Sequence, residues 1–228
     1  MQSPVSSKTP TPSEALLTVE GAIAKTCKIA RRKVDDVTLV AVSKMHAAEK
    51  IEPLLEAGHQ HFGENRVQEA QGKWPALKER FPDAQLHLIG SLQSNKAEDA
   101  ALLFDCIHSL DRMSLVKALP KAFEKAGRQV PCFVQVDVGE EPQKGGCPIP
   151  ELPDLLESAR ERDIPLAGLM CIPPADIEPA PFFALLDKLA REHGLDDRSM
   201  GMSSDYETAI MLGATHVRVG SALFGERG

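Results

Sequence analysis

The stretch TLVAVSK, residues 38–44, is the part of the sequence from which the fold is inferred. It is an apolar run rich in β-branched residues, and a helix-forming segment follows without a glycine turn, which is the pattern of a buried parallel strand. Because side chains alternate along a strand, Lys44 lies on the same face as Val40 and Val42. A lysine at this inward position can extend to solvent, pair with an acid, or act as a nucleophilic amine. The strand alone leaves these three possibilities open.

The composition restricts the class of protein. With 228 residues, 43% of them hydrophobic, the chain can form one large domain, and α/β barrels reach this length. The net charge of −7 argues against a nucleic-acid-binding surface. The five cysteines are scattered and form no CxxC pair, as is typical of reduced thiols in a cytoplasmic protein. Because no apolar run reaches membrane-spanning length and no signal-peptide pattern is visible, we expect a cytoplasmic protein without a membrane partner.

Strands and helices alternate along the chain behind a Pro/Ser/Thr-rich segment, residues 1–10, which we expect to be a disordered tail. A capping box at residues 11–14 predicts a first helix that ends near Arg32, and a second capping box at residues 204–207 predicts a later helix. Between and around them the pattern predicts eight short apolar strands, each followed by a helix or helical turn. Eight such units favour a single α/β domain, a (β/α)8 TIM-type barrel formed by residues 11–228. The extra N-terminal helix is expected to cover the seam between the last strand and the first, and a doubly wound open sheet is the structural alternative.

Polar residues follow the predicted strands at their C-terminal ends, where barrel proteins build their sites. Alternation places Arg218 on the inner face of the last strand, where a charge is costly unless it meets an anion or an acceptor. Gly220 and Ser221 then begin a helical turn whose backbone N–H groups suit an anion, and Ser203 offers further donors. Together with Lys44, these groups would suit a phosphorylated aldehyde, held by a Schiff base and by hydrogen bonds to its phosphate.

Simpler interpretations of the same residues remain open. A lysine at a strand end is more often solvated or paired than nucleophilic, and one Gly-Ser pair at a helix start is weak evidence for a phosphate site. His59 and His61 alternate on a strand like two metal ligands, but no third ligand is evident, so we predict no metal site. The residues and their spacing make a Schiff-base barrel plausible and leave its ligand undecided.

Six motifs in a fixed order carry a resemblance to a known family. They are VAVSK at 40–44, FGENRVQEA at 62–70, HLIGSLQSNK at 87–96, GLMCIPP at 168–174, MGMSSDYETAI at 200–210 and GATHVRVGSALFGER at 213–227. As a set they resemble the pyridoxal phosphate homeostasis proteins (the YggS/PROSC group) over about residues 35–227. The resemblance implies the barrel of fold-type III pyridoxal phosphate proteins, similar to the N-terminal domain of alanine racemase.

The resemblance also implies a cofactor, pyridoxal 5′-phosphate, and the residues that bind it. These are Lys44 as the covalent Schiff base, Arg218 at the pyridine nitrogen, Asn65 beside the ring, Met170 and Met202 in the pocket wall, and Ser203, Gly220 and Ser221 at the phosphate. Two departures from the family pattern are visible. Ser91 stands where the family commonly has His, and DVGEEPQKGG at 137–146 replaces an Asn-x-Ser-like start. Neither departure involves Lys44 or the phosphate residues, although the roles of those two loops are less defined.

The expected residues suit a carrier of the cofactor better than an enzyme. Arg218 is permanently cationic and can only donate hydrogen bonds, so it disfavours the protonated pyridine nitrogen that strong carbanion stabilisation requires. Racemases of this fold take a second acid/base, a tyrosine, from another domain or subunit, whereas Tyr206 is the only tyrosine of this chain. We therefore expect a non-catalytic protein that stores, buffers or delivers pyridoxal phosphate, as the family is described.

Two other functions remain alternatives at this stage. One is a pyridoxal-phosphate-dependent amino-acid racemase of low activity, and the other is a cofactor-free Schiff-base lyase that acts on a phosphosugar. For the carrier, we expect apo-enzymes that need pyridoxal phosphate as recipients of the cofactor. The family's usual monomer is the expected oligomeric state.

Overall fold

Eight parallel strands close into a barrel, as the sequence predicts. The computed structural model describes residues 10–141 and 145–225. In these residues the strands are β1 (Thr38–Val42), β2 (His61–Glu64), β3 (Gln85–Leu88), β4 (Cys106–Leu110), β5 (Cys132–Asp137), β6 (Cys147–Pro148), β7 (Leu166–Met170), β8 (Asp197–Ser199) and β9 (His216–Val219). All but β6 belong to the barrel, which closes because β9 pairs in parallel with β1. The two-residue β6 pairs with the end of β5. Because β4 also pairs with β5, the ring of strands is closed, and a doubly wound open sheet is excluded.

Helices surround the barrel, and their order follows the predicted alternation. They are α1 (Pro12–Ile29), α2 (Ala48–Glu56), α3 (Val67–Gln71), α4 (Trp74–Arg80), α5 (Ala97–Leu103), α6 (Met113–Ala126), α7 (Leu152–Arg160), α8 (Ala180–Glu192), α9 (Tyr206–Met211) and α10 (Ser221–Phe224). The main apolar core lies between the strands and these helices. None of the described helices combines the length and the apolar character that crossing a membrane requires.

Helix α1 covers the seam of the barrel, in agreement with the prediction. Its capping box is formed: the Thr11 hydroxyl accepts the Glu14 N–H at 3.3 Å, and the Glu14 carboxylate accepts the Thr11 N–H at 2.8 Å. The helix packs against α9, α10 and α2, which flank β9 and β1. It ends at Ile29, earlier than predicted, because Arg31 has a φ of 55°, in the left-handed region that a helix cannot continue through.

The capping box predicted at residues 204–207 is not formed. Helix α9 begins at Tyr206, and Asp205, which precedes it, makes no capping hydrogen bond with its side chain. Instead, the Asp205 carboxylate accepts the N–H of Met202 at 2.6 Å. A carboxylate that accepts the N–H of a residue three positions earlier closes the turn between β8 and α9. This turn carries Ser203.

Two predictions fall wholly or partly on residues outside the described ranges. The predicted tail, residues 1–10, lies outside them except for Pro10. The segment that departs from the family pattern at residues 137–146 is described except for residues 142–144. The tail and the boundaries of a single domain over residues 11–228 therefore stay predictions.

Candidate functional site

A cavity opens at the C-terminal ends of the barrel strands, where barrel proteins place their sites. Its volume is about 330 Å³, within the range of small-molecule pockets. The wall is formed by Val42, Lys44, His46, Asn65, Ile89, Ile172, Met202, Ser203, Ser204, Arg218, Gly220, Ser221 and Gly225. None of these described lining residues is acidic, whereas Lys44 and Arg218 are basic. The charge of the wall therefore favours an anionic ligand.

Seven of the eight residues predicted to bind a cofactor lie on this wall. They are Lys44, Asn65, Met202, Ser203, Arg218, Gly220 and Ser221. They come from β9 and from the segments that follow β1, β2, β8 and β9. Most of the chain separates the segment after β1 from the segment after β9. They meet because β1 pairs with both β2 and β9 when the barrel closes.

Met170 is the exception, and the expectation that it helps to form the pocket is not met. It is the last residue of β7, fully buried, and it packs with Cys106 and Phe133 in the barrel interior. Ile172, two residues further along the chain, lies on the cavity wall instead. Two residues of extended chain span roughly 7 Å, so Met170 has the correct face but lies too deep.

The turn that carries Lys44 is held by charged residues from the next segment of the chain. Strand β1 ends at Val42, and Lys44 follows it by two residues. Lys73 Nζ donates to the carbonyl oxygens of Ser43 at 3.0 Å and of His46 at 2.9 Å, on either side of the turn. Met45, between them, has a φ of 64°, a strained value for a residue other than glycine. Its N–H donates to the Glu69 carboxylate at 2.5 Å.

Glu64 anchors the same turn from inside the barrel wall. Its side chain is fully buried, and its Oε1 accepts hydrogen bonds from Ser43 Oγ at 2.5 Å and from Trp74 Nε1 at 3.1 Å. Lys73 Nζ lies 2.9 Å from this oxygen. Burial raises the pKa of Glu64, and the hydrogen bond from Ser43 and the charge of Lys73 oppose this effect. The carboxylate thus connects the segment before Asn65 to the segment before Lys44.

Arg218 is fixed by two neutral acceptors. The guanidinium is buried, and it donates from Nη1 to Ser199 Oγ at 2.6 Å and from Nη2 to the Cys171 carbonyl oxygen at 2.9 Å. Burial lowers its pKa from the ordinary value of arginine. No carboxylate of the described residues forms an ion pair with it. Its full charge therefore faces the cavity, and with five N–H donors it retains groups for a ligand.

The other polar end of the cavity is rich in hydrogen-bond donors. Ser203 Oγ accepts the N–H of Gly220 at 3.1 Å and the N–H of Ala222 at 3.4 Å. These two amides open helix α10, and the hydroxyls of Ser204 and Ser221 lie on the same wall. Backbone amides and hydroxyls that converge from two loops are a donor set that fits a phosphate group.

The sequence interpretation missed part of this site. His46 lies on the cavity wall, and its ring stacks on Phe224 with centroids 4.7 Å apart. Lys73 and Glu64 support the Lys44 turn without reaching the wall. For Glu64 a signal was present, because an acidic residue inside the apolar strand HFGE requires a buried partner just as a strand-end lysine does.

Histidines and a cysteine also meet inside the barrel, away from the cavity. The ligand-type atoms of His87, Cys106 and His108 lie within 4.8 Å of one another. The facing nitrogens of the two histidines share a hydrogen bond of 2.9 Å, and burial raises the pKa of the Cys106 thiol well above its usual value. These atoms are thus engaged with one another or protonated. That the chain binds no metal stays a prediction.

The chain resembles known proteins over nearly its whole length. The family described as "Alanine racemase, N-terminal domain" matches residues 20–228. The pyridoxal phosphate homeostasis protein of Aquifex aeolicus is 39% identical over 94% of this chain and 97% of its own length. The protein of the same name from Escherichia coli K12 is 34% identical over 86% of this chain and 88% of its own.

Solved structures have the same fold. PipY of Synechococcus elongatus, with PLP bound, is 38% identical, covers 89% of this chain and all of its own, and has a TM-score of 0.75. An alanine racemase of Clostridium difficile is 15% identical, covers 92% of this chain and 57% of its own, and has a TM-score of 0.69. At that identity the racemase supports the barrel fold alone.

Proposed function

This chain belongs to the pyridoxal phosphate homeostasis proteins of the alanine racemase N-terminal domain family, and we propose that it binds pyridoxal 5′-phosphate in its cavity. Lys44 holds the cofactor aldehyde as a Schiff base, and the protein stores, buffers or delivers the cofactor without catalysing a reaction. When bound, the cofactor supplies an electrophilic aldehyde and an electron-accepting ring. The PLP-bound PipY structure, a relative at 38% identity, supports the choice of ligand.

The observation that carries this proposal is the meeting of three kinds of group in one cavity. Lys44 offers a primary amine, and Arg218 offers the N–H groups that its bonds to Ser199 and Cys171 do not use. The Ser203 hydroxyl and the backbone amides of Gly220 and Ala222 form the third kind of group. An aldehyde, a pyridine nitrogen and a phosphate are their respective partners. Asn65 and Met202 complete the wall beside the ring, and Gly220 and Ser221 hold the phosphate with Ser203.

The same residues favour a carrier over an enzyme. Arg218 can only donate, so it stabilises an unprotonated ring nitrogen and leaves a weak electron sink. The tyrosine that racemisation requires is not on the cavity wall in the described part of the chain: Tyr206 is buried in α9, and no carboxylate lines the cavity. Apart from Lys44, the lining residue that could act as an acid or base is His46, whose ring is stacked on Phe224. We propose that Lys44 binds the aldehyde reversibly and that His46, held against Phe224, does not move a substrate proton.

The first experiment tests the Schiff base. Purified protein is mixed with pyridoxal phosphate, and the visible absorption band of the Schiff base is recorded before and after borohydride reduction. We expect the band with the wild type and with Lys50→Ala, an exposed lysine of α2, and we expect its loss in Lys44→Ala. Mass spectrometry of the reduced protein should place the added mass on Lys44. A wild-type protein without the band would rule out the cofactor and leave the phosphosugar lyase as the alternative.

The second experiment separates carrier from enzyme. The loaded protein is incubated with each amino acid in deuterated water, and α-proton exchange is followed by NMR. Rapid exchange with any amino acid would favour the racemase. In parallel, transfer of bound cofactor to an apo-enzyme is timed against free pyridoxal phosphate, with sedimentation used to check that the carrier is a monomer. We expect transfer without exchange.

The proposed location is the cytoplasm. All five cysteines are free and buried, and burial raises the pKa of Cys171 to about 12 and that of Cys147 to about 11. Thiols without disulfide partners are typical of a reducing compartment.

A further inference from the structure

A continuous line of hydrogen bonds runs through the barrel interior from Arg218 to the opposite end of the barrel. Arg218 Nη1 donates to Ser199 Oγ, which lies 2.8 Å from His108 Nδ1. His108 Nε2 is 2.9 Å from His87 Nδ1, and His87 Nε2 is 3.0 Å from His61 Nδ1. Only His61, the first residue of β2, is partly exposed. We call these three residues the histidine chain: His61, His87 and His108.

The direction of these hydrogen bonds follows from Arg218. A guanidinium can only donate, so Ser199 Oγ is an acceptor on that side. Ser199 is fully buried, and its own O–H needs an acceptor; among the described residues, His108 Nδ1 is the other polar atom within hydrogen-bond distance. If His108 Nδ1 carried a proton instead, the buried hydroxyl hydrogen would be left without a partner, which carries a desolvation penalty. Ser199 therefore donates to His108.

The hydrogen bond from Ser199 to His108 determines which ring nitrogen is protonated in every residue of the histidine chain. His108 Nδ1 accepts, so its proton is on Nε2, and it donates to His87 Nδ1. His87 in turn carries its proton on Nε2 and donates to His61 Nδ1. All N–H bonds then point away from Arg218, which is also the orientation that a positive charge favours for the dipoles around it. Burial lowers the pKa of His87 and of His108 well below the ordinary value, which agrees with neutral rings.

We infer that the histidine chain and Ser199 form a single polarised relay that positions the Arg218 guanidinium, with His61, His87 and His108 held as neutral Nε2–H tautomers. Ser199 and His108 are positioning residues: they act on a ligand only through Arg218. A hydroxyl that donates into such a chain becomes a stronger acceptor, because successive hydrogen bonds polarise one another. Its consequence for cofactor binding rests on the function proposed above.

The relay explains how Arg218 is fixed without being neutralised. A carboxylate partner would also orient the guanidinium, but it would cancel the positive field that the ring nitrogen experiences. Ser199, Cys171 and the neutral histidine chain orient it and add no negative charge. Other side chains pack around the chain without breaking it: the Phe133 ring stacks on His108 at 4.4 Å between centroids, and the His216 ring lies 5.9 Å from His108.

The tautomers are measured directly in the wild-type protein without cofactor. Long-range ¹H–¹⁵N NMR spectra of ¹⁵N-histidine-labelled protein distinguish a protonated nitrogen from an unprotonated one in each ring. We expect an unprotonated Nδ1 and a protonated Nε2 in His61, His87 and His108. A proton on Nδ1 of His87 or His108 would overturn the inference, and so would uptake of Zn²⁺ that removes the Nε2–H signals. Because no variant is needed, this measurement does not depend on the folding of a mutant.

The effect on the site is measured with Ser199→Ala, which removes the link, and Ser199→Thr, which keeps a hydroxyl. We expect Ser199→Ala to shift the absorption maximum of bound pyridoxal phosphate and to weaken its binding on the order of tenfold. Ser199→Thr should restore both, and His59→Gln, a histidine outside the chain, should change neither. If wild-type protein gives no Schiff-base band, the proposed function fails while the NMR result stands. If the band forms and Ser199→Ala matches the wild type in both readouts, the positioning role is wrong.

Discussion

The ammonium of Lys73 donates a 3.0 Å hydrogen bond to the carbonyl oxygen of Ser43. It also donates to the His46 carbonyl oxygen and pairs with the buried Glu64 carboxylate, so one charged group holds both sides of the turn that presents Lys44. Met45, within this turn, has a left-handed backbone conformation, which persists only where the surrounding structure fixes it. The position of Lys44 in the cavity therefore depends on a lysine that does not line it.

Lys73→Met should damage both stability and cofactor binding. Removing the ammonium leaves Glu64 as a buried charge without its cation, which typically costs about 3–5 kcal/mol of the free energy of unfolding. The turn also loses two hydrogen bonds, so we expect the Schiff-base band to need on the order of tenfold more pyridoxal phosphate. Urea denaturation and an absorption titration measure the two effects.

Two variants make this prediction specific. Adding Glu64→Gln to Lys73→Met removes the uncompensated charge and should recover part of the stability but not the cofactor affinity. Lys78→Met removes an ion pair with Asp105, which is not on the cavity wall, and should leave the titration unchanged. Equal cofactor affinity in Lys73→Met and the wild type would contradict the role of Lys73.

Ser203→Ala tests the phosphate end of the cavity. The hydroxyl is the acceptor for the N–H groups of Gly220 and Ala222, and it faces the cavity. We expect the affinity for pyridoxal phosphate to fall on the order of tenfold, because a hydrogen bond to a charged group is lost. The affinity for pyridoxal, which has no phosphate, should stay within about twofold. An equal loss for both compounds would place the phosphate elsewhere.

Gly90→Ala tests how closely the chain passes Asn65. A Cβ at this glycine would lie 2.4 Å from the Asn65 carbonyl oxygen and 2.8 Å from its Cα, so the backbone of one segment must move. We expect a loss of about 1–3 kcal/mol in the free energy of unfolding and an altered cofactor spectrum. Gly21→Ala is the matched control, because nothing lies within 4 Å of its added Cβ in α1. It should raise stability by about 0.5–1 kcal/mol.

Mild acid should destabilise the protein through its buried histidines. Burial lowers the pKa of His59 from 6.5 to about 4, although the ring bonds to the His61 carbonyl oxygen. Between these two values the unfolded chain binds a proton at this ring that the folded chain does not. The free energy of unfolding therefore falls as the pH falls through this window, by up to about 1.4 kcal/mol per pH unit for one group.

His59→Gln should make this dependence less steep between pH 6.5 and about 4. Urea denaturation at a series of pH values gives the slope for each protein. The rest of the dependence should come from His216, whose pKa burial lowers to about 4, and from His87 and His108, whose pKa values burial also lowers. A variant with the slope of the wild type would mean that His59 does not titrate differently on folding.

Much of the fold and part of the site follow from local patterns in the sequence. The capping box at Thr11, the eight apolar runs and the apolar face of α1 depend on neighbours along the chain, and the barrel and its covered seam were predicted from them. Strand alternation also placed Arg218 inward and Lys44 on the cavity side. These features are set by backbone geometry that repeats every two or 3.6 residues, which a sequence expresses directly.

Only the tertiary structure decided how deep a side chain lies in the barrel and which residues it contacts. The alternation of side chains predicts that Met170 faces the barrel interior, but it does not predict that the cavity wall begins two residues later, at Ile172. Two sets of contacts join residues that are distant in the sequence: the bonds from Lys73 to the Lys44 turn, and the line from Arg218 through Ser199 and the histidine chain. The second set spans 157 positions, from His61 to Arg218. Such contacts exist because closing the barrel brings inward-facing side chains from distant strands to the same level of its interior. The sequence by itself determined which way each side chain points, and the closed barrel determined what it meets there.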